Sequence, residues 1–179
     1  MIPMPDSPIQ RSLRAANPNG SATTRGSWIL PLAVLATAAL GALATSNARS
    51  FYAALDKAWW APPATVFGPV WTLLFVLMAV AAVMVWRAPA GLLRSRAIGV
   101  FVAQLVANAA WSWLFFAAHQ GALAMAELVL LWLLVAASVL CFWAVRPLAG
   151  LLVAPTLLWV SFAGVLNASV WLRNPALLG

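Results

Sequence analysis

Five long apolar stretches alternate with polar breaks along the chain: Trp28 to Thr45, Pro69 to Trp86, Ala97 to Ala118, Gly121 to Val145 and Pro147 to Leu172. Each comes close to or exceeds the roughly 20 apolar residues that a helix needs to cross a hydrocarbon core of about 30 Å. Strand-length runs of alternating apolar and polar positions, the mark of a membrane barrel, are absent from the sequence. The pattern predicts an all-α integral membrane bundle of five transmembrane helices over residues 27–174. A tail at 1–26, rich in Pro, Ser, Asn and Arg and without apolar periodicity, reads as disordered, and residues 175–179 form a short C-terminal tail. Only His119-Gln120 separates spans three and four, and only Arg146-Pro147 separates four and five, so these neighbours are antiparallel. The break from Asn47 to Gly68 is longer than most helix–helix connections, and long loops are often functional. Within it the spacing of Phe51, Tyr52, Leu55 and Trp59 predicts a short amphipathic helix lying on the bundle mouth.

Composition agrees: 65% of residues are hydrophobic, 7% are charged and the mean hydropathy is +0.96, whereas soluble domains average about 25% charged residues. The spans use most of the chain and leave no room for a second folded domain. The net charge of +7 sits in loops and tails rather than on a stripe, which argues against nucleic acid as a partner. It reports topology instead. Arg11, Arg14, Arg25, Arg87, Arg94, Arg96 and Arg146 fall on one side, and only Arg49, Lys57 and Arg173 on the other. The positive-inside rule then predicts a multi-pass protein with a cytoplasmic N-terminus, its Trp-rich loop and C-terminus facing away; the membrane expected is that of a bacterial cell. Cleavage of the first span as a signal peptide is the alternative. Ala42-Leu43-Ala44 leaves it open, but the span is longer than a typical signal-peptide apolar region.

Polar groups inside a span are costly and face the bundle interior. Gln104, Asn108, Trp111 and Phe115 share one face of span three; Trp159, Ala163 and Asn167 share one face of span five; Trp71 and Phe75 lie one turn apart in span two. With the topology above, these faces meet in the half of the bundle that the loop covers. Such a cavity, with indole and phenyl walls, two carboxamides and a lid carrying Arg49 and Lys57, suits a flat aromatic ligand with an acidic edge. A packed core, with the carboxamides bonded to neighbouring helices, accounts for the same pattern. The loop itself holds Trp59-Trp60 beside Pro62-Pro63, a rigid extended stretch that serves either as an interfacial anchor or as a functional lid. In span one, Ala33, Thr37, Gly41 and Thr45 lay small side chains along one face, which predicts a helix–helix contact and, by extension, a subunit contact.

The chain lacks the means for several chemistries. One His, one Cys and three acids cannot build a usual metal site. His119, at a span end, reads as interfacial rather than as a haem ligand, and the lone Cys141 as a small hydrophobe. Glu127, inside span four, is protonated or paired near the interface, with a proton or ligand role as the alternative. Asp56 and Lys57 read as a local charge pair. Neither a Ser-His-Asp arrangement nor a phosphate loop is present, which disfavours hydrolase and nucleotide roles.

The segment Phe51-Tyr52, Lys57-Ala58-Trp59-Trp60-Ala61-Pro62-Pro63, Val66-Phe67 and Trp71-Thr72 resembles the first loop of the TspO/translocator-protein family, the tryptophan-rich sensory proteins. Gln104, Asn108, Trp111-Ser112 and Phe115-Phe116 resemble that family's third helix; Pro155, Trp159, Phe162-Ala163 and Leu166-Asn167 resemble its fifth. The resemblance implies a five-helix bundle, usually a homodimer, with a pocket under the first loop. The implied ligands are porphyrins, haem and related tetrapyrroles, and in some members sterols or isoquinoline and benzodiazepine drugs; no obligatory cofactor is implied. The family's pocket positions fall on Trp59, Asn108, Trp111, Trp159, Ala163 and Asn167. Together with the faces above, the candidate ligand-binding set is Tyr52, Trp59, Trp71, Phe75, Gln104, Asn108, Trp111, Phe115, Trp159, Phe162, Ala163 and Asn167.

Phe51 stands where the family often has Trp, Phe75 where many members have Tyr, and Ala168-Ser169 where sterol binders have a Tyr pair. Tyr52 is the only tyrosine, so the short motif proposed for cholesterol cannot form near Asn167, which argues against sterol binding. Three functions fit the resemblance. The first is a tetrapyrrole-binding sensory or regulatory protein. The second is an enzyme degrading porphyrin with light and oxygen, with Trp59 and Trp159 as candidate electron donors. The third is a tetrapyrrole transporter, which ranks lower because internal repeats are absent.

Overall fold

Backbone groups in a hydrocarbon must be satisfied within their own segment, so uninterrupted apolar runs fold as helices. The computed structural model describes residues 26–179; the polar tail, with Arg11, Arg14 and Arg25, lies outside the described residues apart from Gly26. Seven α-helices follow in order: α1 Ile29–Ala44, α2 Ala48–Ala54, α3 Phe67–Trp86, α4 Leu92–Ser112, α5 Gly121–Val145, α6 Pro147–Arg173 and α7 Pro175–Leu178. A 3₁₀ turn, Ala64–Val66, leads into α3, and a π-helical turn, Trp113–Ala117, ends α4. No strand occurs among the described residues. Four helical stretches, Ala64–Trp86, Leu92–Ala117, Gly121–Val145 and Pro147–Arg173, are long and apolar enough to cross a membrane. The fifth, α1, meets that test only together with α2, from which it is bent by 52°. The protein is an integral membrane bundle of five helices.

Helix ends follow local chemistry. Arg94 Nη1 donates to the carbonyls of Trp86 (3.0 Å) and Ala88 (2.9 Å), pairing oxygens that the end of α3 leaves free. Pro147 sits at the start of α6, where its missing donor costs nothing, and α6 runs on through Pro155. In the bundle α5 packs along α4 and α6, α3 packs along α6, and α1 lies against α3 and α4. Met78, Val85, Phe101, Val135, Phe142 and Val153 are completely buried at the centre, where the Phe101 and Phe142 rings stand 5.0 Å apart. At Gly150 α6 runs against the backbone of α5: a Cβ there would lie 2.8 Å from the Trp143 amide nitrogen and the Val139 carbonyl oxygen.

The small-residue face of α1 turns into its own chain. Thr37 is buried, Ala33 packs against the core, and a Cβ on Gly41 would meet Ser112 Oγ at 3.6 Å. The loop helix α2 ends at Ala54, earlier than the apolar spacing predicts, so Trp59 falls beyond it.

The expected Asp56–Lys57 pair does not form. Lys57 Nζ instead folds back onto the carbonyls of Tyr52 (2.7 Å) and Leu55 (2.6 Å), where the end of α2 supplies free acceptors. Asp56 faces Arg173 at 3.7 Å. Its backbone is gripped from both sides by Asn174: Oδ1 accepts from the Asp56 N–H (2.8 Å) and Nδ2 donates to the Asp56 carbonyl (2.9 Å). The loop is thereby latched to the end of α6. Residues 175–179 dock as well, with Leu178 buried and Trp171 Nε1 donating to the Gly179 carbonyl at 2.6 Å.

Candidate ligand cavity

Under the loop, a cavity of about 570 Å³ lies between α1, α3 and α4. This lies within the roughly 300–1,000 Å³ usual for small-molecule sites. From α1 it is lined by Leu35, Ala38, Gly41 and Ala42, a rise of about 10 Å along the helix, and by Thr45 at the helix end. Arg49 and Tyr52 of α2 and Ala64 of the loop line its loop end. Phe67, Gly68, Trp71, Thr72 and Phe75 of α3 face Asn108, Trp111, Ser112 and Phe116 across it. Leu35, Ala42, Gly68 and Thr72 are exposed as well as lining, so the cavity opens sideways between α1 and α3.

A second space of only about 30 Å³ lies toward α6 and is lined by Trp159, Ala163, Leu166, Asn167 and Val170. Tyr52, Phe67, Trp71, Trp111 and Phe116 line both spaces. These five rings form a partition one side chain thick. Ring contacts brace it: Trp111 stacks on Phe115 at 5.5 Å, Tyr52 meets Phe67 edge-on at 5.4 Å, and Phe67 meets Trp159 at 6.0 Å. Tyr52 Oη donates to the Pro62 carbonyl (3.0 Å), which ties the partition to the loop.

The predicted set divides accordingly. Tyr52, Trp71, Phe75, Asn108 and Trp111 line the large cavity, whereas Phe115, Trp159, Ala163 and Asn167 line only the small one. Gln104 lines neither; it is fully buried deeper in α4, and its Nε2 donates to Met78 Sδ at 3.4 Å. Phe162 also lines neither and packs between Trp60 and Trp159. Trp59 points away from both spaces and is 95% exposed. The indoles on the large cavity are therefore Trp71 and Trp111, not Trp59 and Trp159.

The π-helical turn explains one residue that the periodicity misses. Its wide hydrogen bond, from the Ala118 N–H to the Trp113 carbonyl (2.8 Å), inserts an extra residue into the turn. Phe116 consequently enters the partition beside Trp111, although a regular helix carries only Phe115 on the Trp111 face. Arg49 and the α1 residues were legible only as lid charge and helix contact.

Polar atoms at these walls have unmet capacity. Among the described residues Asn108 Nδ2, Trp111 Nε1 and Asn167 Oδ1 are buried without a hydrogen-bond partner, a state that costs roughly 1–3 kcal/mol per group unless something binds there. Away from the cavities, both carboxylate oxygens of Glu127 are likewise buried and unpartnered. His119, at the α4–α5 turn, is exposed with φ 55° and stacks on Phe51 at 4.2 Å.

The chain as a whole has recognisable relatives. A model of the TspO/MBR family matches residues 28–172. Protein CrtK of Rhodobacter capsulatus is 38% identical over 142 residues, covering 76% of this chain and 85% of its own length. The translocator protein of Homo sapiens is 36% identical over 126 residues, 69% of this chain and 75% of its own. The tryptophan-rich sensory protein of Cereibacter sphaeroides is 38% identical over 144 residues, 78% of this chain and 88% of its own.

Proposed function

The chain belongs to the TspO/MBR family, and from that premise we propose that it is a membrane receptor for tetrapyrroles, capturing porphyrin or haem in the large cavity for a sensory or regulatory purpose. One observation carries the reading: a 570 Å³ cavity walled by Trp71, Phe75, Trp111 and Phe116, into which the unpartnered Asn108 carboxamide also faces. Broad π faces favour a flat conjugated ring, and a buried amide with spare donors favours a ligand with polar atoms at its centre or rim. In this reading the N-terminus is cytoplasmic, the loop faces away from the cytoplasm, and the working unit is a homodimer.

Titration of the purified protein with protoporphyrin and with haem, followed by tryptophan fluorescence, tests the reading. Saturable quenching is expected, and Trp71→Ala should weaken it roughly tenfold or more, because stacked aromatic contacts contribute about 0.5–1.5 kcal/mol beyond the area they bury. Trp59→Ala should leave the affinity unchanged. Equal affinity in wild type and Trp71→Ala would move the ligand out of this cavity. New bilin-like absorbance on illumination would make the protein an enzyme, and porphyrin flux into sealed vesicles would make it a transporter.

A further inference from the structure

The large cavity has a single cationic group on its wall. Arg49 lies at the loop end beside Thr45 and Ala48, while the deeper lining from Leu35 to Phe75 is almost entirely apolar. Two other described cations occupy the loop side, and both are engaged. Lys57 Nζ is held by the carbonyls of Tyr52 and Leu55, and Arg173 faces the Asp56 carboxylate. Arg49 has neither a hydrogen bond nor an ion pair among the described residues, and no acid lines the cavity. The space is thus amphipathic along its length: a guanidinium at the loop end, aromatic walls below, and the 95%-buried Asn108 with an unpartnered Nδ2.

A guanidinium is always charged and presents a planar fork of donors that matches a carboxylate with two parallel hydrogen bonds. Arg49 is itself exposed at the loop end, so water screens part of that attraction, and the match of fork to carboxylate supplies the selectivity. We propose that Arg49 receives the carboxylate edge of the bound macrocycle, so that the site selects tetrapyrroles with free acid arms over the same rings in esterified form. The proposal rests on the tetrapyrrole reading above and adds an orientation. The acid arms lie toward α2 and the loop, and the ring body reaches inward toward Trp71, Phe75 and Asn108.

The test compares protoporphyrin IX with its dimethyl ester, which keeps the ring and removes both charges. Wild type, Arg49→Gln and Arg49→Lys are each reconstituted in nanodiscs of uncharged phosphatidylcholine and titrated by tryptophan quenching. Wild type should bind the free acid roughly threefold to tenfold more tightly than the ester, the scale of a charged hydrogen bond formed at a partly hydrated group. Arg49→Gln should lose that preference by weakening the acid alone, with ester affinity and thermal midpoint unchanged. Arg49→Lys should keep part of it, since the charge remains and the fork does not. If both ligands bind but Arg49→Gln retains the full acid preference, or weakens acid and ester alike, Arg49 does not meet the carboxylates and the tetrapyrrole reading survives without it. Failure of both ligands to bind wild type would remove that reading and this inference together.

Discussion

Two glycines show how sharply single positions differ in what they tolerate. At Gly150 an added methyl would press on backbone atoms of α5, the Trp143 nitrogen and the Val139 oxygen at 2.8 Å, and backbone cannot swing aside. Gly150→Ala should therefore force α5 and α6 apart and lower stability by roughly 1–3 kcal/mol, the usual scale of overpacking; reversible unfolding in mixed micelles would measure it. At Gly41 the same methyl meets only a hydroxyl oxygen at 3.6 Å, an ordinary contact. Gly41→Ala should leave the thermal midpoint where it is. Gly41→Phe should fill the cavity instead and abolish porphyrin quenching with the fold intact. If Gly41→Phe bound porphyrin as wild type does, the space beside α1 would not be the site.

Among the elements, the loop between α1 and α3 is held from below by Asn174 at the end of α6. Its side chain exchanges two hydrogen bonds with the Asp56 backbone and a third with the Val170 carbonyl at 2.7 Å. Asn174→Ala removes all three and should free the segment around residues 55–63. Amide exchange there should accelerate, and porphyrin association and dissociation should both quicken while exchange in α5 stays slow. Unchanged exchange in the loop would show that ring packing, such as Trp60 on Phe162, holds it without the latch. This latch was invisible in the sequence, because Asn174 and Asp56 are far apart in the chain and neither position carries a pattern. The five spans were legible because long apolar runs admit one fold in lipid. The faces of Trp71, Asn108, Trp111 and Trp159 were legible because their helices keep a regular period up to those points. Phe116 was not, since the period changes at the π-helical turn. The loop helix is shorter than the spacing predicts, because Lys57 closes α2 just beyond Ala54, and Trp59, a pocket position only by resemblance, stands exposed beyond it. Small residues on α1 marked a face that packs into the chain at Ala33 and Thr37, but small side chains also leave room, as Gly41 does on the cavity wall.

For the molecule as a whole, the cations flanking α3, α4 and α5 at the end away from the loop (Arg87, Arg94, Arg96 and Arg146) outnumber those at the loop end. This predicts that a maleimide that cannot cross the membrane, added to intact cells, labels Ala64→Cys and spares Ser95→Cys in a Cys141→Ala background. The reverse pattern would invert the topology. The shortness of α1 has a consequence of another kind. Its 16 residues rise about 24 Å, against a hydrocarbon thickness of about 30 Å, and α1 is the helix that borders the sideways opening of the cavity. A short helix is accommodated by thinning of the surrounding bilayer. Thinning at α1 would place the most compressed lipid beside the opening, where a flat ligand entering from the acyl chains would meet the thinnest barrier. Ligand uptake should in consequence depend on chain length, slowing as the acyl chains of the host phosphatidylcholine are lengthened, with affinity in detergent as the thickness-free reference.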